Sequence, residues 1–298
     1  MPELPEVETI RRDLEELVTG QVIRAVEVLD PRLVRYPEPA EFIASLRDRR
    51  LAAARRRAKY LLLDLVPAAT PLPPPALSRD WRGPGGLILV IQLILSGQLL
   101  LLPPDAPRRL DTRLVLRLSD ELTDPVRRQL QLVDQSGLAI VHLGRPDELA
   151  ARLPLDELGP EPIDPTFTLD QFATLLAQRR GAIRSLLLDQ RFISGVGTIY
   201  ADEALFAAAI HPTRPANSLQ PDEVARLYEA LRAGLLQGIT DRGTTTFSYL
   251  DVYGQPGKHQ ERLQVVTRAG RACPRCGARI VKSRIGGAPA YFCPSCQK

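Results

Sequence analysis

Four cysteines and a proline flanked by acids carry most of the chemistry this chain can offer. Cys273-Pro-Arg-Cys276 and Cys293-Pro-Ser-Cys296 are two CxxC pairs with sixteen residues between them. Each tight turn supplies two thiolates, and four thiolates surround Zn2+ tetrahedrally, so the spacing is that of a zinc ribbon. With four protein ligands no position is left for a reacting water. The expectation is one structural Zn2+ per chain, holding a β-hairpin. Two disulfides are the competing reading. Against them stand the confinement of all four cysteines to the C-terminal end and an acidic start, Met1-Pro2-Glu3-Leu4-Pro5-Glu6, unlike a secretory leader.

The start of the chain offers a second chemistry. Removal of Met1, which precedes a small residue, would leave Pro2 with a free secondary amine. Such an amine can attack a sugar C1′ and form a charged iminium, an electron sink that acidifies the C2′ proton. Glu3 and Glu6, three apart, could share one face of a first helical turn. One would then handle the proton at the sugar ring oxygen and the other support the amine. The plainer reading stays open: acids and an early proline suit any helix N-terminus.

Charge points to the partner. Lys+Arg 39 against Asp+Glu 35 leaves a net +4, so placement matters more than the total. From Gln264 onward there are seven Arg or Lys and no acid, which suggests a polyanion. Arg55-Arg56-Arg57-Ala58-Lys59 runs into an apolar stretch that would fix Lys59 as a point charge for a phosphate. The composition, 44% hydrophobic and 25% charged, excludes wholesale disorder. The longest apolar run, Leu87 to Leu102, is broken by Gln92, Ser96, Gly97 and Gln98 and is too short for a membrane span. Three histidines leave little scope for a His-built metal centre.

The elements that must position these residues fall into three kinds. Val7, Ile10, Leu14, Leu17 and Val18 predict an opening helix stopped by Gly20, and a second helix is expected over Glu38–Arg49. Short Leu/Val/Ile runs predict strands at Val22–Leu29, Tyr60–Val66, Leu87–Ile94, Gln98–Leu102, Leu114–Leu118, Leu130–Val133 and Leu138–Leu143, a sandwich or barrel. The proline-rich stretch Pro67 to Gly86 is expected to be a stiff loop. Gly144 to Phe167 suggests a linker. Beyond it helices are expected at Leu169–Gln178, Ile183–Leu188, Ile199–Ala208 and Pro221–Gln237, then a mobile polar loop over Gly243–Glu261.

Taken together, these motifs resemble the bacterial formamidopyrimidine-DNA glycosylase and endonuclease VIII family. The resemblance rests on Met1-Pro-Glu-Leu-Pro-Glu-Val-Glu-Thr9, Arg56-Arg57-Ala58-Lys59-Tyr60-Leu61-Leu62, and Leu158-Gly-Pro-Glu-Pro162. It continues through Leu188-Asp-Gln190, Gly195-Val-Gly-Thr-Ile-Tyr-Ala-Asp-Glu203, Gly243-Thr-Thr245 and the terminal cysteine module. It implies an α+β multidomain fold: an N-terminal β-sandwich with flanking helices, a helix–two-turn–helix domain and a C-terminal zinc-finger β-hairpin. The implied boundaries are 1–145 for the catalytic domain (with the 67–86 loop), 146–166 for the linker, 167–240 for the DNA-binding helices, 241–264 for a lesion-capping loop region and 265–298 for the zinc finger. The implied activity is base-excision repair: a DNA glycosylase with AP lyase (β,δ-elimination) activity on oxidised or ring-opened bases, which are flipped out of the duplex. Carried over, Pro2 is the nucleophile, Glu3 the general acid, Glu6 its support and Lys59 a phosphate contact. Leu95, Gly197, Thr198, Tyr200, Lys282 and Arg284 are the DNA-binding set. The partner is damaged double-stranded DNA, with single-stranded or abasic DNA as further substrates, for a monomer in the bacterial cytoplasm, associated with the nucleoid.

The departures are specific. The family's H-L-G-M-S-G becomes Gln92-Leu-Ile-Leu-Ser-Gly97, with Leu95 at the methionine that fills the gap left by the flipped base. D-x-R-x-F-G becomes Asp134-Gln-Ser-Gly137, without the arginine and phenylalanine. G-N-I-Y becomes Gly197-Thr-Ile-Tyr200, and the zinc-finger G-G-R becomes Gly286-Gly-Ala288. Each missing charged hydrogen bond costs about 1.5–3 kcal/mol. Lys282 and Arg284 are expected to take over part of that grip. The alternatives are a catalytically weak damaged-DNA or structure-binding protein on the same scaffold, and an unrelated zinc-ribbon protein, against which the N-terminal motif counts.

Overall fold

The computed structural model describes residues 2–72, 80–83 and 86–298. Met1 and most of the proline-rich loop, 73–79 and 84–85, lie outside them, so the expectations placed there have no structural counterpart. The chain forms two compact units. One contains Pro2, Glu6–Asp156 and Arg242–Gly257; the other contains Glu3–Pro5, Glu157–Asp241 and Lys258–Lys298.

In the first unit, helix α1 (Leu4–Val18) buries Val7, Ile10, Leu14 and Val18, one stripe at three- and four-residue spacing. Gly20, at φ 91°, ends it. Nine strands follow among the described residues: β1 (Val22–Val28), β2 (Val34–Tyr36), β3 (Arg49–Arg57), β4 (Tyr60–Pro67), β5 (Leu87–Gln92), β6 (Gln98–Leu102), β7 (Thr112–Ser119), β8 (Arg128–Val133) and β9 (Ile140–Gly144). They form one continuous sheet in the order β2-β9-β5-β4-β3-β1-β7-β8-β6, antiparallel except for β2 against β9. Leu63 of β4, Ile91 of β5, Leu116 of β7 and Leu132 of β8 enter the same core with the α1 stripe. Both halves of the sheet therefore face one interior, as a sandwich does.

One expectation is corrected here, and two elements are added to those expected. The second helix, α2, covers only Pro39–Leu46, because Arg49 already begins β3. β3 escapes sequence reading because five of its nine residues are arginines, although Leu51, Ala52 and Ala54 are buried. The presumed linker holds a short helix, α3 (Pro146–Ala150), and Asp156 accepts hydrogen bonds from Trp81 Nε1 at 2.7 Å and Arg82 Nη2 at 2.6 Å.

The second unit is helical. It contains α4 (Leu169–Ala177), capped by a Thr168/Gln171 box, α5 (Ile183–Leu188), α6 (Thr198–Ala207) and α7 (Pro221–Thr240). The hairpin β10 (Val281–Ile285) with β11 (Ala288–Phe292) completes it. Phe172, Leu187, Leu205, Leu227 and Leu235 share its core with Leu4, Cys273 and Cys293. Among the described residues no helix is long and apolar enough to cross a membrane.

Candidate catalytic and DNA-binding site

The sharp turn Ser194–Gly197 feeds α6, and Glu3 closes on its start. The Glu3 carboxylate accepts from Gly197 N at 2.7 Å and Ile199 N at 2.9 Å, with Tyr200 N at 3.5 Å. Those N–H groups have no partner within the helix, and the positive end of α6 favours the anion. Neither glycine of the turn tolerates a side chain. Gly195 has φ 88°, and a Cβ at Gly197 would overlap the Glu3 carboxyl. Gln190 fastens the turn: its Oε1 accepts from Gly195 N and its Nε2 donates to Val196 O, both at 2.9 Å. Leu4 N donates to Gly195 O. Glu3, 1% exposed, thus caps a helix almost two hundred residues away rather than merely suiting its own.

Glu6 is held in the same manner within the first unit. It is buried and accepts from Thr244 N at 2.7 Å, beside Gly243 at φ 87°. The segment expected to be a mobile loop is internally bonded. Asp251 accepts from Tyr253 N and Gln255 N, while Arg242 bridges Asp251 and Asp13. Gln98 reaches Ser248 O.

Pro2 lines a cavity of about 260 Å³ with Val7, Lys59, Gln92, Leu93 and Ile94. Two left-handed turns shape it. Ala58 at φ 50° reverses β3 into β4 just before Lys59, and Ile94 also takes φ 50°. A β-branched residue there is strained by roughly 1–3 kcal/mol. The turn is held by Gly97 N to Leu93 O and by Ser96 Oγ donating to the buried Asp134 at 2.6 Å. Asp134 also accepts from Ser136 and from Ala139 N, and these donors outweigh burial and hold its carboxyl below the ordinary range. Leu95, 44% exposed, projects from this braced turn.

The basic run is largely occupied by the fold. Arg56 pairs with Glu8 at 3.0 Å and Arg55 with Asp64 at 2.5 Å. Burial pushes Glu8 up, but Arg56, Arg11 and Arg12 outweigh it and hold the carboxyl at about 2. The run also has a use the sequence did not show: its arginines neutralise buried acids.

The remaining site residues lie in the second unit. Thr198 opens α6. Tyr200 is 2% exposed and its ring stacks on His259, so the phenol is part of the core rather than the surface. Lys282 lies over the Tyr291 ring, and Arg284, exposed, donates to Gly287 O. All four cysteine Sγ atoms lie within 4.8 Å of one another, with Cys276–Cys293 at 3.5 Å and Cys273–Cys296 at 3.7 Å. Unbridged sulfurs at this separation suit four thiolates around one tetrahedral zinc, not two disulfides.

This chain matches three family models end to end. They are the formamidopyrimidine-DNA glycosylase N-terminal domain over residues 1–141, the formamidopyrimidine-DNA glycosylase H2TH domain over 158–249, and a zinc finger found in FPG and IleRS over 270–298. The chain belongs to the formamidopyrimidine-DNA glycosylase family. Formamidopyrimidine-DNA glycosylases of Pelotomaculum thermopropionicum and Roseiflexus sp. are 40% and 41% identical to it, over 100% of this chain and 99% and 100% of theirs. Lactococcus lactis Fpg in complex with DNA containing an abasic site superposes with a TM-score of 0.85 at 30% identity, covering 99% of each chain. The same enzyme with DNA containing FAPY-dG superposes at 0.83 and 30%, covering 99% of this chain and 100% of that one. Within the family fold, sequence reasoning missed Gln92 in the Pro2 cavity, Thr244 on Glu6 and the buried pair Arg184–Asp202. The arginine-to-acid pairings carry no local sequence signal.

Proposed function

We propose that this glycosylase excises oxidised or ring-opened bases from damaged DNA and then cuts the strand by β,δ-elimination, using the Pro2 nitrogen as nucleophile. The chain is a bifunctional DNA glycosylase and AP lyase of base-excision repair with one structural zinc. The unprotonated Pro2 amine attacks C1′ as the C1′–base bond breaks. Glu3, held as an anion at the positive end of α6, takes the N–H proton that Pro2 sheds and passes it to the sugar ring oxygen as the ring opens to the iminium, while the departing base takes its proton from water. Loss of the C2′ proton then expels the 3′ phosphate, and a second elimination expels the 5′ phosphate. Glu6 supports the N-terminal segment and Lys59 holds a phosphate. Leu95 fills the gap left by the flipped nucleotide, and Gly197, Thr198 and the Tyr200 backbone line the strand's path with Lys282 and Arg284.

The observation that carries this reading is the cavity lined by both Pro2 and Lys59, the amine and the cation the chemistry needs. The Lactococcus lactis enzyme in complex with DNA containing an abasic site and with DNA containing FAPY-dG supports the choice of damaged DNA as partner. We assign 1–145 to the catalytic domain, 146–166 to the linker, 167–240 to the DNA-binding helices, 241–264 to the lesion-capping region and 265–298 to the zinc finger. The working place is the bacterial cytoplasm, at the nucleoid. Borohydride trapping on DNA with a defined abasic site is the test, with the N-terminus verified by mass spectrometry. A covalent adduct mapped to Pro2 is expected. No adduct from zinc-loaded protein lacking Met1 would overturn the reading in favour of a protein that binds damage without turnover.

A further inference from the structure

The most deeply buried charge in the second unit belongs to no step above. Arg184, on α5, is fully buried and pairs with Asp202 on α6, Nε to Oδ1 at 2.6 Å. Its other nitrogens leave the helices altogether. Nη1 donates to Ile285 O at 2.9 Å and Nη2 to Pro289 O. Asp202 in turn accepts from Tyr291 N at 2.9 Å. The two carbonyls flank the Gly286-Gly287 turn, where Gly286 packs against the Ser185 hydroxyl.

A buried ion pair is seldom worth more to stability than apolar packing of equal volume, so its value lies in direction. Here the direction is distinctive. The zinc ligands Cys276 and Cys293 bracket the open end of the hairpin. Its turn lies five residues along each strand, roughly 16 Å away. At that end the planar guanidinium fork grips both sides of the turn. Helix α6 carries Asp202 one turn beyond the N–H groups that bind Glu3.

We propose that Arg184 and Asp202 are positioning residues for DNA: they lock the hairpin, and with it Lys282 and Arg284, to the helix that holds Glu3. The inference rests on the reading of the hairpin as a phosphate-binding element and deepens it. Lys282 and Arg284 sit two apart on one face of β10. Their reach to phosphates depends on the tilt of that strand, and the buried pair sets the tilt. A lysine at 184 would keep the charge but lose the fork.

The test is the double variant Arg184→Met/Asp202→Leu, which removes both charges together and leaves none buried alone. Zinc content and melting temperature establish that it is folded and loaded. Affinity for duplex DNA with an abasic-site analogue is then measured against salt. About tenfold weaker binding is expected, and the slope of log K against log[salt] should fall by about two, one for each phosphate that Lys282 and Arg284 no longer neutralise. Adding Lys282→Ala/Arg284→Ala to the Arg184/Asp202 double variant should cost little more, because those charges no longer reach. Unchanged affinity and slope in the folded variant, or full additivity with the lysine–arginine pair, would overturn the proposal. Should the double variant fail to hold zinc, Arg184→Lys supplies the same measurement: an intermediate slope is expected, and a wild-type slope would count against us. Binding alone is read, so absence of a borohydride adduct in the parent protein would sink the catalytic reading and leave this result intact.

Discussion

Glu3 and Arg284 are both charged side chains assigned to DNA chemistry in one unit, yet the fold treats them oppositely. Glu3 is buried, and helix-terminal N–H groups fix both its oxygens. Arg284 is exposed, and its partner is a carbonyl of its own hairpin. The difference matches what each is proposed to do. A group that manages a proton at one atom must be placed to within a fraction of an ångström, and backbone donors do that. A phosphate-binding cation tolerates reach, so on the proposed reading the precision moves one level down, to the zinc and the Arg184–Asp202 pair beneath that strand. The departures from the family pattern fall on both sides: Ala288 sits in the hairpin, while Thr198 lies inside the Glu3 cradle, whose backbone donors any residue type supplies.

The sharpest way to break this comparison is to remove the metal. Binding of a structural zinc is worth roughly 10–16 kcal/mol, so chelation should release the hairpin and abolish DNA binding. The strands of the first unit should keep their circular dichroism. Loss of α6 and the Glu3 cradle together with the hairpin, read as a fall in helical circular dichroism on chelation, would show that the two regions are not separately held. Next in size is Glu3→Gln, expected to slow excision by about 10²–10⁴-fold while DNA affinity stays within a fewfold. An affinity loss as large as the rate loss would make Glu3 a binding residue.

A smaller effect belongs to the arginines spent on the fold. Glu8 has a folded pKa of about 2 against an ordinary 4.5. Its contribution, on the order of 3 kcal/mol, is full above pH 4.5 and is lost as pH falls toward 2. Chemical denaturation between about pH 6 and 3 should therefore show the wild type losing more stability than Glu8→Gln. Parallel curves would mean that the Arg56 pair contributes nothing. The smallest effect is expected from Lys282→Ala or Arg284→Ala alone: a salt slope lower by about one, with the excision rate at saturating enzyme unchanged.

Much of this was legible beforehand. The α1 stripe, seven of the eleven described strands and the cysteine module announce themselves because their periodicity or spacing is local. The unread strand β3 hides its apolar face behind five arginines, and only pairing with β4 makes it a strand. The linker reading missed α3 for a similar reason: Pro, Asp and Glu suit both a loop and a helix start. Tyr200 was expected at the DNA and lies in the core, because its motif is silent on which way an α6 residue faces.

The sequence by itself determined which chemistry was available: a proline at position 2 beside two acids, a lysine after a run of arginines, and four thiolates at ribbon spacing. Those are properties of residue type and separation along the chain. Tertiary structure decided which atoms each group meets. Glu3 found the open N–H groups of α6, Glu6 found Thr244, and Lys59 came to line a cavity with Pro2. Arg55 and Arg56 went to buried acids, and Arg184 to a hairpin a hundred residues on. Hydrogen bonds and ion pairs act over a few ångströms of space and are indifferent to distance along the chain, so only the folded arrangement could assign them.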